Sequence, residues 1–445
     1  MARLNSPFVQ NLVASIVVGL GPGLYVAVTN LGAGGGPANA TKMQNIVNSV
    51  LYAIYFVAGF FSGSVVTTLG PRYTLAFGTL GYPIYVGALW YFSNTSNLWF
   101  PILGGAFLGI TAVHLWTAAG FIAFSYATEN KKGTYISMQW GLLSVGSTIA
   151  SFVAFGINFH AGELKCPPSV YIVFIILMTL ALPVALFGII SPADVRRADG
   201  MPIAHYPHRG VWQEIKSQRQ ILLDWRMLVL LLPMFGSEVA IIVFSSVNSL
   251  YFNIRTRSLN SVIFVILQAV GAIGTMAILD NQRIGTRRAR GLLSIVTMGL
   301  LTLGLWIGLT VWLSSHPVDL TNPPLWDWTD GPFGGFIVLT LLFGINMVAQ
   351  YQVVVQWIVA ALSNDPETLA RFAGFAKGCL AGGLCATFGT EAAGLDQIYV
   401  TAWTFALQGV GLICMVAVAW FCVRPTNYGK ETELGEGKKI RTLSE

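Results

Sequence analysis

Between Ser191 and Arg226 runs the one long stretch of this chain without a membrane-length apolar segment. Pro192, Asp194, Arg196, Arg197, Asp199, His205, His208, Arg209, Glu214, Lys216, Arg219 and Asp224 fall inside it. Six apolar segments of bilayer length, roughly 20 residues each, precede it, and six follow it. In lipid every backbone N–H and C=O needs an internal partner, so only helices or closed barrels can span. Continuous apolar runs, without the alternation of barrel strands, select helices. The chain is therefore expected to be an all-α integral membrane protein, with 12 transmembrane helices in two six-helix bundles. Residues 1–190 would form the first bundle, 191–226 a cytoplasmic linker, 227–423 the second bundle and 424–445 a cytoplasmic tail.

The predicted spans of the first half are Asn11–Leu31, Asn45–Leu69, Tyr73–Phe92, Leu98–Tyr126, Thr134–Phe159 and Val170–Ile190. Those of the second are Met227–Tyr251, Leu259–Leu279, Gly291–Leu313, Phe333–Leu362, Phe372–Thr390 and Ile398–Val423. Composition agrees: 54% of the residues are hydrophobic and 10% charged, against about 25% charged in a soluble domain. So little charge cannot coat a water-facing surface. The 48 glycines suit close helix approach in a bundle that lipid does not squeeze together.

The net charge of +6 is placed as a membrane protein places it, and does not indicate nucleic acid. With both termini inside, 20 of the 25 basic residues face the cytoplasm and only Lys42, Lys165, Arg255 and Arg257 face out. The sequons at Asn39 and Asn94 both fall in loops assigned to the outside, as glycosylation sites must. The N-terminus carries no signal-peptide cleavage pattern and is expected to be a short cytoplasmic tail. Within the linker, Trp212, Ile215 and Leu222 share one face of an amphipathic helix, which either lies on the headgroups or docks a partner. The five cysteines show no metal spacing, and no metal or cofactor is expected. Gly32 to Gly36 lacks the Gly-Lys-Ser/Thr and the strand of a phosphate loop, and no enzyme motif is present.

Twelve spans around a central cytoplasmic loop resemble the major facilitator superfamily. Local motifs narrow the resemblance. They include Asn30-Leu31-Gly32-Ala33-Gly34, Leu115-Trp116-Thr117-Ala118-Ala119-Gly120 and Ser125-Tyr126-Ala127-Thr128-Glu129-Asn130-Lys131-Lys132-Gly133-Thr134. Further along stand Tyr251-Phe252-Asn253-Ile254-Arg255 and Ala373-Gly374-Phe375-Ala376-Lys377-Gly378. Together they look like the Unc-93-like branch of that superfamily in its fungal form. The resemblance implies a central cavity lined by the first, fourth, seventh and tenth helices, and a cytoplasmic gating cluster. Here that cluster would be Asp280 with Arg287 or Arg288, and Arg72 in the reduced counterpart between the second and third spans.

Ionisable groups inside a bilayer are costly and mark function. His114, Glu238 and Lys377 are the three deep ones and are the proton-coupling candidates. Glu238 is expected near the midplane, twelve residues past Arg226 and so about 18 Å along a continuous helix. Two readings stand for Lys377: it snorkels to the interface, or it pairs with Glu238 across a depth difference of about 10 Å. A histidine so placed is more often a satisfied buried side chain than a proton relay, and both readings stand for His114. Amides crowd the tenth span, where Asn346, Gln350 and Trp357 share a face and Gln352 and Gln356 form a second pair about 100° round. With Ser245, Asn248 and Trp116 they are the substrate-cavity candidates.

The expected function is a multi-pass transporter of a small solute by alternating access, with proton coupling through Glu238. The alternative is a non-transporting regulatory or escort subunit with a membrane-protein partner, against which the short segment Arg424–Glu445 weighs. The expected setting is the plasma membrane or a vacuolar or other endomembrane.

Overall fold

The computed structural model describes residues 4–30, 38–158, 168–196, 221, 223–318 and 323–428. The described residues are helical throughout, apart from loops and one isolated bridge between Phe252 and Trp326. The predicted amphipathic helix around Trp212 and Ile215 lies outside the described residues, as do residues 429–445 of the tail.

Helix α1 runs from Pro7 to Val18, passes through a π turn at Gly19–Gly23 and continues as Leu24–Asn30. Pro7 occupies the first helical turn, where a missing N–H leaves nothing unsatisfied. The run Ala38–Thr79 holds α2 and the start of α3, parted at Gly70. There φ is +80°, a conformation glycine adopts freely, and Pro71 restarts the helix. Helix α3 finishes as Gly81–Thr95, followed by α4 (Trp99–Tyr126), α5 (Lys132–Asn158) and α6 (Pro168–Gly188).

In the second half α7 is built of Trp225–Val229, Leu231–Phe235 and Val239–Tyr251. Then come α8 (Ile254–Leu279) and α9 (Arg287–Ser315). Helix α10 is Phe333–Leu342, a π segment Phe343–Tyr351 and Gln352–Ala361; α11 (Pro366–Ala392) and α12 (Gln397–Cys422) complete the set. Ten of these stretches are long and apolar enough to cross a membrane. One, Lys42–Thr95, covers two crossings, and the shorter apolar halves of α10 supply another, which makes twelve.

Several helices begin earlier than hydropathy predicts, because capping rather than apolarity sets their first turn. Helix α8 starts at Ile254 instead of Leu259, with the Asn253 side chain accepting from Thr256 N at 2.9 Å. Helix α11 starts at Pro366 instead of Phe372, with Asp365 accepting from Thr368 N at 2.8 Å. The outward faces carry large apolar side chains such as Phe187 (77% exposed) and Phe421 (74%), a surface that only lipid can cover.

The halves meet closely where α2 crosses α11. Gly59 and Gly63 face Gly374 and Gly378, and a Cβ on Gly59 would come within 2.4 Å of the Gly378 Cα. Small residues four apart on both helices bring the backbones together, and dispersion along that seam replaces the missing hydrophobic drive.

Candidate functional site

Glu238 owes its position to a break in α7. Residues 236–238 leave the helical path, with Glu238 at φ −122°, before the helix resumes at Val239. The carbonyl freed at Gly236 accepts from the Gln408 Nε2 of α12 at 2.6 Å, and Ser237 Oγ donates to Met234 O at 2.7 Å. A discontinuous helix at cavity depth is tolerated only with its loose backbone groups satisfied in this way. The 18 Å expected from a continuous α7 therefore does not describe where Glu238 sits.

Glu238 and Lys377 both line one cavity between the halves. Its remaining wall comes largely from the first half: Pro22, Tyr25 and Val26 of α1, Leu51, Tyr52 and Tyr55 of α2, Tyr82 of α3, Leu108, Ala112 and Trp116 of α4, and Trp140 and Leu143 of α5. The second half adds only Glu238 and Ile241 from α7 and Lys377 and Leu380 from α11. Trp116 and Trp140 stack at 5.4 Å, and the Lys377 Nζ lies 4.2 Å from the first ring and 5.2 Å from the second. No ion pair within 4 Å joins Lys377 to Glu238 among the described residues.

Two amides of α10 connect these groups from behind the wall. Gln352 Nε2 donates to Glu238 Oε1 at 2.8 Å and lies 3.1 Å from Ser237 Oγ, while its Oε1 faces one end of the Gln356 amide at 3.0 Å. That end of Gln356 also lies 3.3 Å from Lys377 Nζ and 3.1 Å from Trp140 Nε1. With nitrogen there, Gln356 donates to Gln352 and Gln352 donates to an ionised Glu238, but the Gln356 nitrogen then faces the Lys377 and Trp140 donors. With oxygen there, Gln356 accepts from Lys377 and Trp140; Gln352 then turns to donate to Gln356 and accepts from a protonated Glu238. An amide presents a donor at one end and an acceptor at the other, so the chain has two wirings, and they differ in where the proton sits.

The other predicted residues lie elsewhere. His114 is outside the cavity: its Nδ1 sits 2.6 Å from Ile110 O and its ring packs edge-on against Phe77 at 5.5 Å. Two residues before Trp116, it points about 200° round the helix. Asn346, predicted as lining, bonds Thr302 of α9 at 2.8 Å, and Trp357 packs against Gly291 beneath Arg287. Ser245 stands outside the wall, and Asn248 donates to Arg257 O at 3.2 Å and accepts from Asn260 at 2.8 Å. The Gln350 side chain lies outside the described residues. No described residue of α10 stands in the wall itself, against expectation. The cause is the π segment Phe343–Tyr351, whose wider turns break the 3.6-residue count that joined Asn346 to Trp357.

The Arg- and Lys-rich end of the bundle is closed by bonds between the halves. Asp280, at the end of α8, does not pair with Arg287 or Arg288 as predicted. Its carboxylate accepts from Gly133 N at 3.0 Å and from Thr134 N and Oγ1 at 2.5 Å, because the start of α5 offers free N–H groups and the positive end of a helix dipole. Burial pushes the Asp280 carboxyl above its ordinary range, against these bonds and the nearby Arg290. Arg287 meets Glu129 at 3.4 Å, Arg288 donates to Val423 O at 3.2 Å, and Arg290 donates to Asn130 at 3.1 Å. Glu129 also accepts from Asn364 at 2.6 Å, and Lys132 donates to the carbonyls of Ala360 and Ser363. Arg72 stands apart, 5.5 Å over the Tyr73 ring. Sequence reasoning picked out the run Glu129–Thr134 as a motif but could not name its partners, because all of them are distant in sequence.

It also passed over Tyr25, Tyr52, Tyr55, Tyr82, Trp140 and the pair Gly59…Gly63, which is legible in the sequence at the same spacing as Gly374…Gly378. Among the described residues no group of three His, Cys, Asp or Glu side chains could hold a metal. Of the sequons, Asn39 stands in the first turn of α2 and Asn94 in the last turn of α3, away from the basic end.

Comparison with known proteins accords with this architecture. Residues 8–358 match the family model of the Major Facilitator Superfamily. A membrane protein of Schizosaccharomyces pombe is 40% identical over 430 residues, covering 95% of this chain and 85% of that one. An UNC93-like protein of the same yeast is 32% identical over 435 residues, or 96% and 85% of the two chains. Among solved structures, the Major Facilitator Superfamily transporter FucP in its outward conformation superposes with a TM-score of 0.61 at 13% identity, over 95% of this chain and all of that one.

Proposed function

Starting from the chain's membership of the Major Facilitator Superfamily, and of its UNC93-like branch, we propose that it carries a small solute across a membrane by alternating access, with Glu238 as the proton-coupling carboxyl. One observation carries this reading. A carboxyl on a central cavity is bonded to a neutral amide, which one way round donates to the ionised form and turned over accepts from the protonated one. A structural glutamate needs one wiring; a coupling glutamate needs two of nearly equal cost.

In this reading the basic end faces the cytoplasm and both termini lie there, by the positive-inside rule, while the sequons at Asn39 and Asn94 face outward. The closed basic end then corresponds to a state shut to the cytoplasm. Opening inward parts the glycine crossing of α2 and α11 and releases the bonds of Asp280, Glu129 and Lys132. The chain is a carrier in this account and not an enzyme, in the plasma membrane or an endomembrane.

The test uses purified protein in liposomes loaded with a pH-sensitive dye, presented in turn with sugars, amino acids and organic acids. At least one class should drive proton movement into the lumen, and Glu238→Gln should abolish that movement. Undiminished, still pH-dependent transport by Glu238→Gln would remove Glu238 from this role. An absence of flux with a stoichiometric membrane partner in the preparation would favour the escort-subunit alternative.

A further inference from the structure

We propose that the solute is an organic monoanion with a flat apolar body, its acid group held by Lys377 and its body lying against Tyr52, Tyr55, Tyr82 and Trp116. The inference rests on reading the central cavity as the solute site and goes on to name what the site selects.

Lys377 carries the argument. Its side chain is 3% exposed and lines the cavity, yet no carboxylate lies within 4 Å of its Nζ among the described residues. Its neighbours are two indole faces and one end of the Gln356 amide. A buried ammonium is tolerated when paired, and aromatic faces recover only part of its lost hydration. It is a cation waiting for an anion. The resumed half of α7 begins at Val239, beside the cavity residues Glu238 and Ile241, so the positive end of a helix dipole adds to the same field.

The rest of the wall selects the body. Four tyrosines and two tryptophans leave little room for the many paired hydroxyls a sugar would require, and a cationic solute would meet Lys377. Flat rings pack well against rings.

Charge balance ties the anion to the proton. The groups facing Glu238 are Lys377 from α11, Tyr52 and Tyr55 from α2, Tyr82 from α3, and the neutral Gln352 from α10. With Glu238 protonated the cavity holds one positive charge, which a monoanion neutralises. With Glu238 ionised the pair is already neutral, and an anion would bring an uncompensated charge into a poorly solvated site. Anion and proton therefore enter together, and solute affinity falls as pH rises through the titration of Glu238.

Thermal unfolding of the purified, detergent-solubilised protein, followed by gel filtration, tests this with three probes of one shape: 2-naphthoate, 2-naphthamide and 2-naphthylmethylammonium. Naphthoate should raise the midpoint while the amide and the ammonium do not. Lys377→Met should lose the naphthoate shift and Lys377→Arg should keep it. Glu238→Gln should keep the shift and lose its dependence on pH. Equal shifts from acid and amide, a larger shift from the ammonium, a shift from none of the three, or a naphthoate shift undiminished in Lys377→Met would each overturn the proposal. Because binding in detergent needs no gradient, such a failure leaves the flux assay for transport and proton coupling to be judged separately.

Discussion

Six of the cavity's aromatic residues, Tyr25, Tyr52, Tyr55, Tyr82, Trp116 and Trp140, come from the first half of the chain, while both of its charges, Glu238 and Lys377, come from the second. The two walls are also built differently. Tyr52, Tyr55 and Trp116 stand on uninterrupted helical stretches and need only to be packed. Glu238 stands at a break in α7, and it and Lys377 are backed by the Gln352–Gln356 chain of α10. A ring keeps its shape in any surroundings, whereas a buried charge is defined by its neighbours. Under the proposed function the first wall supplies a surface, and the second supplies a state that can change.

That contrast breaks most completely if the walls are held apart. Gly59→Leu places side-chain atoms where a Cβ already comes within 2.4 Å of the Gly378 backbone. Overpacking of this kind costs about 1–3 kcal/mol, which the molecule can relieve by parting α2 from α11. The expected result is a rise of about 5–150-fold in labelling of a cysteine placed at Ser363 on the basic end, against the same cysteine in the parent. Unchanged labelling would mean that this crossing does not gate the basic end.

A sharper cut leaves both walls standing and severs only the chain behind the second. Gln352→Leu removes the one hydrogen bond that reaches Glu238 from α10, at a cost of about 1–3 kcal/mol in stability. Solute binding should lose its pH dependence far more than its strength at acidic pH. Binding curves across pH decide this, and an unaltered profile would show that the amide chain is scaffolding.

On the first wall the ring should matter more than the hydroxyl. Tyr55→Phe should weaken solute binding by no more than about tenfold, and Tyr55→Ala by about 1.5–3 kcal/mol. Equal losses from the two would make the first wall a polar site and erase the contrast.

The smallest effect serves as a control at the opposite end from the basic face. Burial works against ionisation of Asp327, but hydrogen bonds from Arg255, Thr256, Asn253 and the Trp328 amide hold its carboxyl below the usual carboxylate range. A carboxyl so depressed contributes stability above its unfolded pKa and loses it as pH falls towards the folded one. Acid unfolding of Asp327→Asn should therefore be less steep than that of the parent, with the pH profile of solute binding unmoved.

Much of this molecule could be read before it was folded. Membrane-length apolar runs and the asymmetry of basic residues each follow from how water and lipid treat a side chain, which is a property of the residue and not of its neighbours. For the same reason Glu238 and Lys377 stood out, since an ionisable group in an apolar run is conspicuous whatever it touches. The partners were not legible. The facing of α10 was misjudged because a π segment changes the count of residues per turn. The partner of Asp280 was misjudged because the free N–H groups of α5 lie 146 residues away. Solvation was written locally along the chain; pairing waited for the tertiary structure, because hydrogen bonds and ion pairs depend on which distant backbone or side chain the fold brings within 3 Å or so.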